Sequence, residues 1–236
     1  RDLHSFPTRR SSDLVGGVIV FGAGGVGSYV IEALGRLGIG RIDICDGDCV
    51  SISNINRQIP ALHSTLGKSK AEVMEDRLKD INPEIEVGRF EFFYTENNNV
   101  AIDLKNYDYI IDAIDSIESK LCLIKEAQDA GIPIISSMGA GNKVDPAGFE
   151  VADIYSTQVD PIAKIMRKRL KAMGIESLKV VYSKEEPVKT RSTAIGSISF
   201  VPGACGLVIA GAVFRDIVSD TPTRSEERRV GKECRS

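Results

Sequence analysis

Residues 22–27 read GAGGVG and directly follow an apolar run at 15–21. The run has the length of a buried strand, and residues 28–37 after the glycines show an apolar face at helical spacing. Glycines between a strand and a helix allow a tight turn and a close approach of the backbone to phosphate oxygens, where the helix dipole favours an anion. The stretch therefore predicts a nucleotide-binding turn, which by itself suits NAD, FAD or ATP.

The same alternation of strand and helix continues outward from this turn. The further predicted strands are 41–45, 86–92, 109–113 and 132–136, and the further predicted helices are 68–81 and 119–130. This rhythm predicts an α/β fold, a Rossmann-like, doubly wound, mostly parallel sheet with right-handed crossovers. Ligands of such sheets bind at the carboxyl ends of the strands.

The pattern changes after Gly148. Short strands at 151–155 and 180–183 around a helix at 161–173 predict a C-terminal antiparallel extension. The polar residues 184–194 predict a surface loop, or alternatively a lid over the site. Residues 195–214 carry no charge and are long enough to cross a membrane, but a proline and four glycines favour a buried strand-turn-helix.

Composition limits the class of protein. The chain has 236 residues, 42% of them apolar, which suits one α/β domain. Its five cysteines are irregularly spaced without a C-x-x-C pair or a secretory signal, so we expect a reduced, cytoplasmic protein without structural zinc.

The terminal segments 1–14 and 221–236 resemble translated adapter sequence, and we interpret them as foreign to the domain; natural basic tails are the alternative. Residues 15–220 hold 22 Lys and Arg against 28 Asp and Glu. This domain is acidic, so a nucleic-acid partner requires a local basic patch.

Polar residues near the end of the second predicted strand indicate which part of a nucleotide is bound. Asp46, about twenty residues after the glycines, is placed to accept ribose hydroxyls. Asn54, Arg57 and Gln58 follow where a plain dinucleotide fold begins its next helix, and Lys70 opens that helix. Arg57 can hold phosphate oxygens bidentately and Lys70 can act as a point charge. Solvated surface charges are the alternative interpretation.

A third polar group follows the predicted strand 109–113. Asp112 and Asp115 can supply carboxylate oxygens to Mg²⁺ on a triphosphate. The competing interpretation is that Asp115 or Ser116 caps the next helix.

Together these motifs resemble the adenylating domain of the ubiquitin-activating-like superfamily. The motifs are GxGGxG at 22–27, Asp-Gly-Asp at 46–48, Ser-x-x-Asn-Arg-Gln at 53–58, Gly-Lys-Ser-Lys at 67–70 and Asp-x-x-Asp at 112–115. Within the superfamily, residues 136–146, 160–170 and 180–185 are most similar to the tRNA threonylcarbamoyladenosine dehydratases. The resemblance covers nearly all of residues 15–220.

This resemblance implies ATP-dependent cyclisation of threonylcarbamoyladenosine in tRNA through an acyl-adenylate. It implies ATP and Mg²⁺ as cofactors, with Arg57, Lys70 and Asp115 catalytic and Asp115 holding the metal. The implied nucleotide-binding residues are Gly22, Gly24, Gly25, Gly27, Asp46, Asp48, Asn54, Arg57, Gln58, Lys70, Asp112, Asp115 and Ser116.

The resemblance also implies partners: a tRNA, a second copy in a homodimer and, less directly, sulfur-transfer proteins. The proline and glycines of residues 195–214 separately lead us to expect no stable membrane insertion. Members of the family begin with a helical segment whose arginine reaches the partner's ATP. Residues 1–14 stand in its place, so we expect weaker adenylation and a weaker dimer.

The predicted helix 161–173 is the candidate tRNA surface, with an ordinary solvated face as the alternative. Its cations are Lys164, Arg167, Lys168, Arg169 and Lys171. Contacts of such cations with phosphates make binding depend on salt.

Cys205 invites comparison with relatives that load a protein tail onto a cysteine. Its apolar surroundings favour a small buried hydrophobe instead.

Three other functions stay open at this point. The first is adenylation of the C-terminal glycine of a ubiquitin-like sulfur carrier, which the lack of zinc cysteine pairs and the basic helix disfavour. A nicotinamide-dependent oxidoreductase explains the glycines and Asp46 but leaves Arg57, Lys70 and Asp115 without a role. The last is a non-catalytic nucleotide-binding scaffold.

Overall fold

The computed structural model describes residues 17–188 and 196–219, where seven strands form one sheet. The strand order is β3-β2-β1-β4-β5-β7-β6, and every pair is parallel except β6 with β7. The strands are β1 Gly17–Phe21, β2 Arg41–Cys45, β3 Arg89–Phe90, β4 Tyr109–Asp112, β5 Ile134–Ser137, β6 Phe149–Asp153 and β7 Lys179–Ser183. The helices are α1 Gly27–Arg36, α2 Lys70–Ile81, α3 Ile117–Ala130, α4 Pro161–Ala172 and α5 Phe200–Ser219. The predicted fold class is confirmed, including the antiparallel extension.

Both faces of the sheet are covered. Val18 and Val20 point to the core shared with α1, α2 and α5, whereas Ile19 and Phe21 point to the core shared with α3 and α4. Successive residues of a strand face opposite sides, so a central strand covered on both sides is apolar throughout. This is why residues 15–21 read as a continuous apolar run.

The predicted strand at 86–92 is shorter than expected, because only Arg89–Phe90 is regular. This segment is the edge of the sheet, and the backbone N–H of Gly88 donates to Asp43 Oδ1 at 2.7 Å. An isolated bridge still pairs Glu86 with Arg41. The side chain of Asp43 therefore interrupts the ladder.

The prediction of a strand-turn-helix over 195–214 is wrong, because one helix, α5, runs from Phe200 to Ser219. Pro202 lies in its first turn, where no backbone N–H donor is required. A methyl group at Gly203 would lie 2.9 Å from the ring of Tyr29, and one at Gly206 would lie 2.4 Å from the carbonyl oxygen of Val26. The glycines therefore let α5 pack closely on α1.

Helix α5 is the one helix within residues 17–188 and 196–219 that is long and apolar enough to cross a membrane. Half of its apolar stretch is buried within the fold. Length and composition alone are weak evidence for a membrane span, since a helix that packs in a core meets the same criteria.

Asn142 forms hydrogen bonds with both Val188 and Gly196. These residues flank 189–195, which lie outside the described residues, as do 1–16 and 220–236. The N–H of Val188 donates to the carbonyl of Asn142 at 2.6 Å, and the N–H of Asn142 donates to the carbonyl of Gly196 at 2.7 Å. The N–H of Gly196 donates in turn to Asn142 Oδ1 at 2.7 Å. Asn142 has φ +57°, a conformation that asparagine tolerates better than most residues. The predictions for both terminal segments, and for most of the 184–194 loop, fall on undescribed residues.

Candidate nucleotide-binding site

The glycine turn joins β1 to α1 at the carboxyl edge of the sheet. Gly22 has φ +94°, and a methyl group there would lie 2.6 Å from the carbonyl oxygen of Ala113, just after β4. A methyl group at Gly27 would lie 1.7 Å from the carbonyl oxygen of Gly22. Neither position accepts a side chain without a shift of the backbone, so the turn needs these two glycines.

The start of α1 provides backbone donors to this turn. Its N-cap residue is Val26, whose side chain has no hydrogen-bonding atom. The first N–H groups of a helix lack intrahelical acceptors, and the helix dipole adds positive potential there. The turn can therefore bind an anion such as a phosphate group.

Asp46 lies beside the glycine turn at the end of β2 and is 9% exposed. Its Oδ2 accepts from the N–H of Ala23 at 2.6 Å, and its Oδ1 accepts from the N–H of Asp48 at 2.8 Å. Burial raises the pKa of the carboxyl, and these two donors offset part of that rise. Each oxygen has a second lone pair, so a ribose hydroxyl can still donate to it.

Lys70 and Asp48 form an ion pair next to Asp46. The Nζ atom of Lys70 lies 2.7 Å from Asp48 Oδ2, and the Lys70 side chain is 5% exposed against 52% for Asp48. Ser69 caps α2 by accepting from the N–H of Glu72, which places Lys70 as the first helical residue. A phosphate at this point would compete with Asp48 for the ammonium group.

Arg57 and Gln58 pack directly against the glycine turn. A methyl group at Gly25 would lie 3.5 Å from Arg57 Cγ, and one at Gly24 would lie 3.7 Å from Gln58 Nε2. Arg57 Nη1 donates to the carbonyl of Ser53 at 2.9 Å and to Asn56 Oδ1 at 2.8 Å. These bonds orient the guanidinium and leave its other N–H donors for a ligand.

Gln58 also bears an unpaired polar atom. Its side chain is 8% exposed, and Oε1 has no hydrogen-bond partner within the part of the chain that the structure describes. A buried polar atom without a partner costs free energy. This atom beside Gly24 therefore fits a site that a polar ligand completes.

Asn54 has a structural role in the same segment. Its side chain is buried, and Oδ1 accepts from the N–H of Ser51 at 3.1 Å. The bond closes the turn that leads to Arg57. The contact of Asn54 with phosphates stays a prediction.

Asp112 is enclosed and engaged, in contrast to the expected contact with the nucleotide. It is 0% exposed, and Lys120 Nζ lies 3.1 Å from each of its carboxylate oxygens. Ser136 donates to Oδ2 at 2.5 Å, and the N–H of Ile114 donates to Oδ1 at 3.1 Å. Its bonds to the loop after β4 make Asp112 a support of that loop, and we assign it no contact with the ligand.

Asp115 and Ser116 have different surroundings in that loop. Ser116 caps α3 by accepting from the N–H of Ser119 at 3.4 Å, so the N-cap interpretation applies to Ser116 and not to Asp115. Asp115 is exposed and makes no hydrogen bond or ion pair with the described residues. Its carboxylate can thus serve Mg²⁺, which usually binds one or two carboxylates together with phosphates and water. No group of three or more His, Cys, Asp or Glu that could hold a metal by itself occurs in the described residues.

The cations of the basic helix α4 form two sets, arginines that bond to other parts of the fold and exposed lysines. Arg167 donates to the carbonyl of Thr157 at 2.9 Å and to its hydroxyl, and Arg169 forms a two-bond ion pair with Glu118 at 2.9 Å. These two arginines thus have partners within the fold. The exposed lysines at positions i, i+4 and i+7, which we call the lysine stripe, are Lys164, Lys168 and Lys171.

The cysteines in the described residues do not form a reactive centre. Cys205 is 0% exposed, and burial raises the pKa of its thiol to about 12. Burial likewise raises the pKa of Cys45 to about 12 and that of Cys122 to about 11, whereas Cys49 is exposed. The prediction of a small buried hydrophobe at Cys205 is confirmed.

Sequence reasoning did not predict the roles of Lys120, Ser136 or Asn56. Asn56 Nδ2 donates to the carbonyl of Ser197 at 3.0 Å and so joins the Arg57 segment to the residues before α5. A lysine within the apolar part of α3 was the available signal for a buried ion pair.

The glycine turn, the buried Asp46 beside it and the adjacent Arg57 define the site of an α/β nucleotide-binding protein. A comparison with protein-family models identifies residues 14–231 with the ThiF family, and the chain belongs to this family. Membership confirms the resemblance and favours the adenylating interpretation over the nicotinamide one.

Two comparisons specify the similarity further. The chain is 43% identical over 221 residues to the tRNA threonylcarbamoyladenosine dehydratase of Bacillus subtilis, covering 86% of this chain and 87% of that protein. Crystal structures of the E. coli tRNA N6-threonylcarbamoyladenosine dehydratase, TcdA, match it with TM-scores of 0.83 for the AMP complex and 0.81 for the ATP complex. The identities are 36% and 35%, and 87% of each chain is covered.

Proposed function

We propose that this protein is an ATP-dependent dehydratase of threonylcarbamoyladenosine in tRNA, with residues 15–220 as its functional domain. The observation that supports it most is the packing of Arg57 and Gln58 on Gly24 and Gly25. A dinucleotide-binding turn does not need a guanidinium here, whereas in a reaction at a nucleotide phosphate a guanidinium stabilises the charge that develops. The similarity to named dehydratases over most of the chain supports the substrate.

In the proposed first step, the carboxylate of the threonylcarbamoyl group attacks the α-phosphorus of ATP. An oxygen–phosphorus bond forms, the bond to the β-phosphate breaks, and pyrophosphate leaves. Two anions must approach one another, so Arg57 and Lys70 offset their repulsion and stabilise the charge that accumulates in the transition state. Asp115 is the residue that would hold Mg²⁺, which supplies further charge neutralisation when bound.

In the second step, the carbamoyl group of the same side chain closes on the activated carbonyl. A bond forms from the carbamoyl group to the carbonyl carbon, the bond from this carbon to the AMP oxygen breaks, and the carbamoyl group releases a proton to solvent. AMP leaves with the former carboxylate oxygen, so the net change in the tRNA is the loss of one water. An intramolecular reaction of this kind benefits from a high effective molarity and needs no enzyme nucleophile. This agrees with the burial of Cys205.

We propose the lysine stripe as a tRNA contact, because its three lysines lie on one side of α4 and pair with no carboxylate among the described residues. We also propose a homodimer, which the exposed apolar residues Phe200, Leu207 and Val218 of α5 support. Sulfur-transfer partners, Mg²⁺ and a cytoplasmic location stay predictions.

The proposed function can be tested by nucleoside mass spectrometry of tRNA that contains threonylcarbamoyladenosine. Incubation with the protein, ATP and Mg²⁺ should remove one water from the modified nucleoside, and omission of ATP should prevent this. An intact nucleoside in every reaction would reject the dehydratase. Formation of an acyl-adenylate on the terminal glycine of an added sulfur carrier would then favour the alternative substrate.

Replacement of the three lysines of the stripe by alanine should weaken tRNA binding by about tenfold or more at low salt. Each lost phosphate contact should also lower the slope of log K against log salt by about 0.9 at most. Filter binding at several salt concentrations measures both quantities. The matched control replaces Lys79, Lys105 and Lys125, exposed lysines on other elements, by alanine. If both triple variants weakened tRNA binding equally, the lysine stripe would not be the tRNA contact.

A Cys205→Ala variant should dehydrate tRNA within about twofold of the unchanged protein, because the mechanism uses no thiol. Because burial raises the pKa of this thiol to about 12, the thiol stays protonated at pH 8. It should therefore resist alkylation until the protein unfolds. Activity assays and mass spectrometry of iodoacetamide-treated protein check this, with exposed Cys49 as the internal positive control. Complete loss of activity in a variant that remains folded would indicate a thioester route.

A further inference from the structure

Phe93 is an exposed aromatic residue close to the proposed ribose site. Its side chain is 61% exposed and follows β3 at the carboxyl edge of the sheet. A methyl group at Gly47 would lie 3.0 Å from Phe93 Cδ2 and 2.7 Å from its backbone nitrogen. Gly47 directly follows Asp46, so the Phe93 ring lies against the residue next to the Asp46 carboxylate.

The backbone around this ring is held in place. Asn98 Nδ2 donates to the carbonyl of Phe93 at 2.7 Å, and Asn98 Oδ1 accepts from the N–H of Thr95 at 2.8 Å. On the other side, the N–H of Asp46 donates to the carbonyl of Phe90 at 3.0 Å. The exposed ring is therefore presented by an ordered segment.

The neighbouring aromatic residues all have partners. Phe21 and Tyr94 form an edge-to-face pair with ring centres 4.8 Å apart, and Phe90 and Phe92 form one at 6.1 Å. Phe93 has no such ring partner among the described residues. Large apolar surface left exposed beside a polar cleft is typical of a ligand-binding site.

We propose that Phe93 is the platform on which the adenine ring of ATP stacks. In a nucleoside the base is attached to the ribose carbon next to the one that bears the 2′-hydroxyl. A base must therefore lie near the carboxylate that binds the ribose hydroxyls, and Phe93 is an exposed ring that lies against Gly47, the residue after Asp46. Gly47 lacks a side chain at the point where the ring requires space. This inference rests on the proposed use of ATP.

Stacking recognises the π-face that all bases share, so Phe93 contributes affinity for a base and little choice among bases. The platform and the phosphate-binding turn should consequently be separable. Ligands that contain only the phosphate groups should bind independently of Phe93.

Isothermal titration calorimetry of the full chain tests this separation. A Phe93→Ala variant should bind ATP roughly tenfold more weakly, whereas its affinity for inorganic tripolyphosphate should not change. Phe93→Tyr should keep the ATP affinity, since the ring remains. The matched control is Val100→Ala, which removes a 92% exposed apolar side chain from the same segment.

A tryptophan reporter gives a second test, because the chain contains no tryptophan. The fluorescence of a Phe93→Trp variant should be quenched by ATP and not by tripolyphosphate. Val218→Trp, near the end of α5, should not respond to either ligand. Equal ATP affinities of the unchanged protein and Phe93→Ala would show that Phe93 is not the adenine platform. A Phe93→Trp signal that stays constant with ATP would show the same. Neither result would affect the proposed function. If the unchanged protein binds no ATP, both the adenine platform and the proposed ATP-dependent function are rejected.

Discussion

An Arg57→Ala variant should convert threonylcarbamoyladenosine in tRNA about a hundred- to a thousandfold more slowly than the unchanged protein. This is the range for removal of one donor that stabilises charge in a transition state. The alkyl part of the Arg57 side chain packs beside Gly25, and the guanidinium donors that do not bond to Ser53 and Asn56 are available to phosphate oxygens. Initial rates of pyrophosphate release, followed together with loss of water from the nucleoside, measure the effect.

Two further variants separate geometry from charge. Arg57→Lys keeps the charge but lacks the planar fork, so it should recover only part of the rate. Arg36→Ala removes an arginine of α1 that pairs with Glu32 on the surface, and it should leave the rate within about twofold. Arg57 would lose its assigned role if Arg57→Ala were as active as Arg36→Ala.

A Lys120→Met variant should lose about 3–5 kcal/mol of the free energy of unfolding. Removal of one partner of a buried ion pair leaves the other charge uncompensated. Lys120 and Asp112 are 3% and 0% exposed, and no solvent can replace the ammonium group beside the carboxylate. Urea denaturation measures the change, and the midpoint should fall without a change in slope.

The same helix offers the matched control. Lys125 pairs with Asp129 on the surface of α3, with side-chain exposures of 60% and 65%. Lys125→Met should change the free energy of unfolding by no more than about 0.5 kcal/mol. The double variant with Asp112→Asn and Lys120→Met should recover part of the loss, because it removes the unpaired charge. Equal effects of the two single lysine variants would show that the buried pair is not a special determinant of stability.

Most of the fold could be predicted because the central strands are covered on both faces and the helices have one apolar face. Strand β1 and helix α1 illustrate both patterns. The prediction from periodicity was wrong at residues 195–214, because helix α5 is apolar on almost all of its faces. Its glycines allow a close contact with α1, and sequence alone does not distinguish a glycine at a turn from one at a helix contact.

The site was predictable where a residue type and its position at a strand end limit the chemistry, as at Asp46. It was not predictable where the outcome depends on a partner distant in the sequence. Asp112 and Asp115 differ by three positions, yet Lys120 and Ser136 enclose the first while the second stays exposed. Similarly, the contact between Arg169 and Glu118 requires the packing of α4 against α3.

The packing of α5 on α1 joins the last helix of the fold to the first. Pro202 Cβ would lie 3.1 Å from a methyl group at Gly25, so α5 also borders the glycine turn. During synthesis on the ribosome, α1 emerges long before the residues that cover it. A nascent chain that stops before Phe200 would thus leave the apolar side of α1 uncovered and its nucleotide turn without one wall. Incomplete chains should accordingly be substrates for chaperones and proteases rather than partly active enzymes.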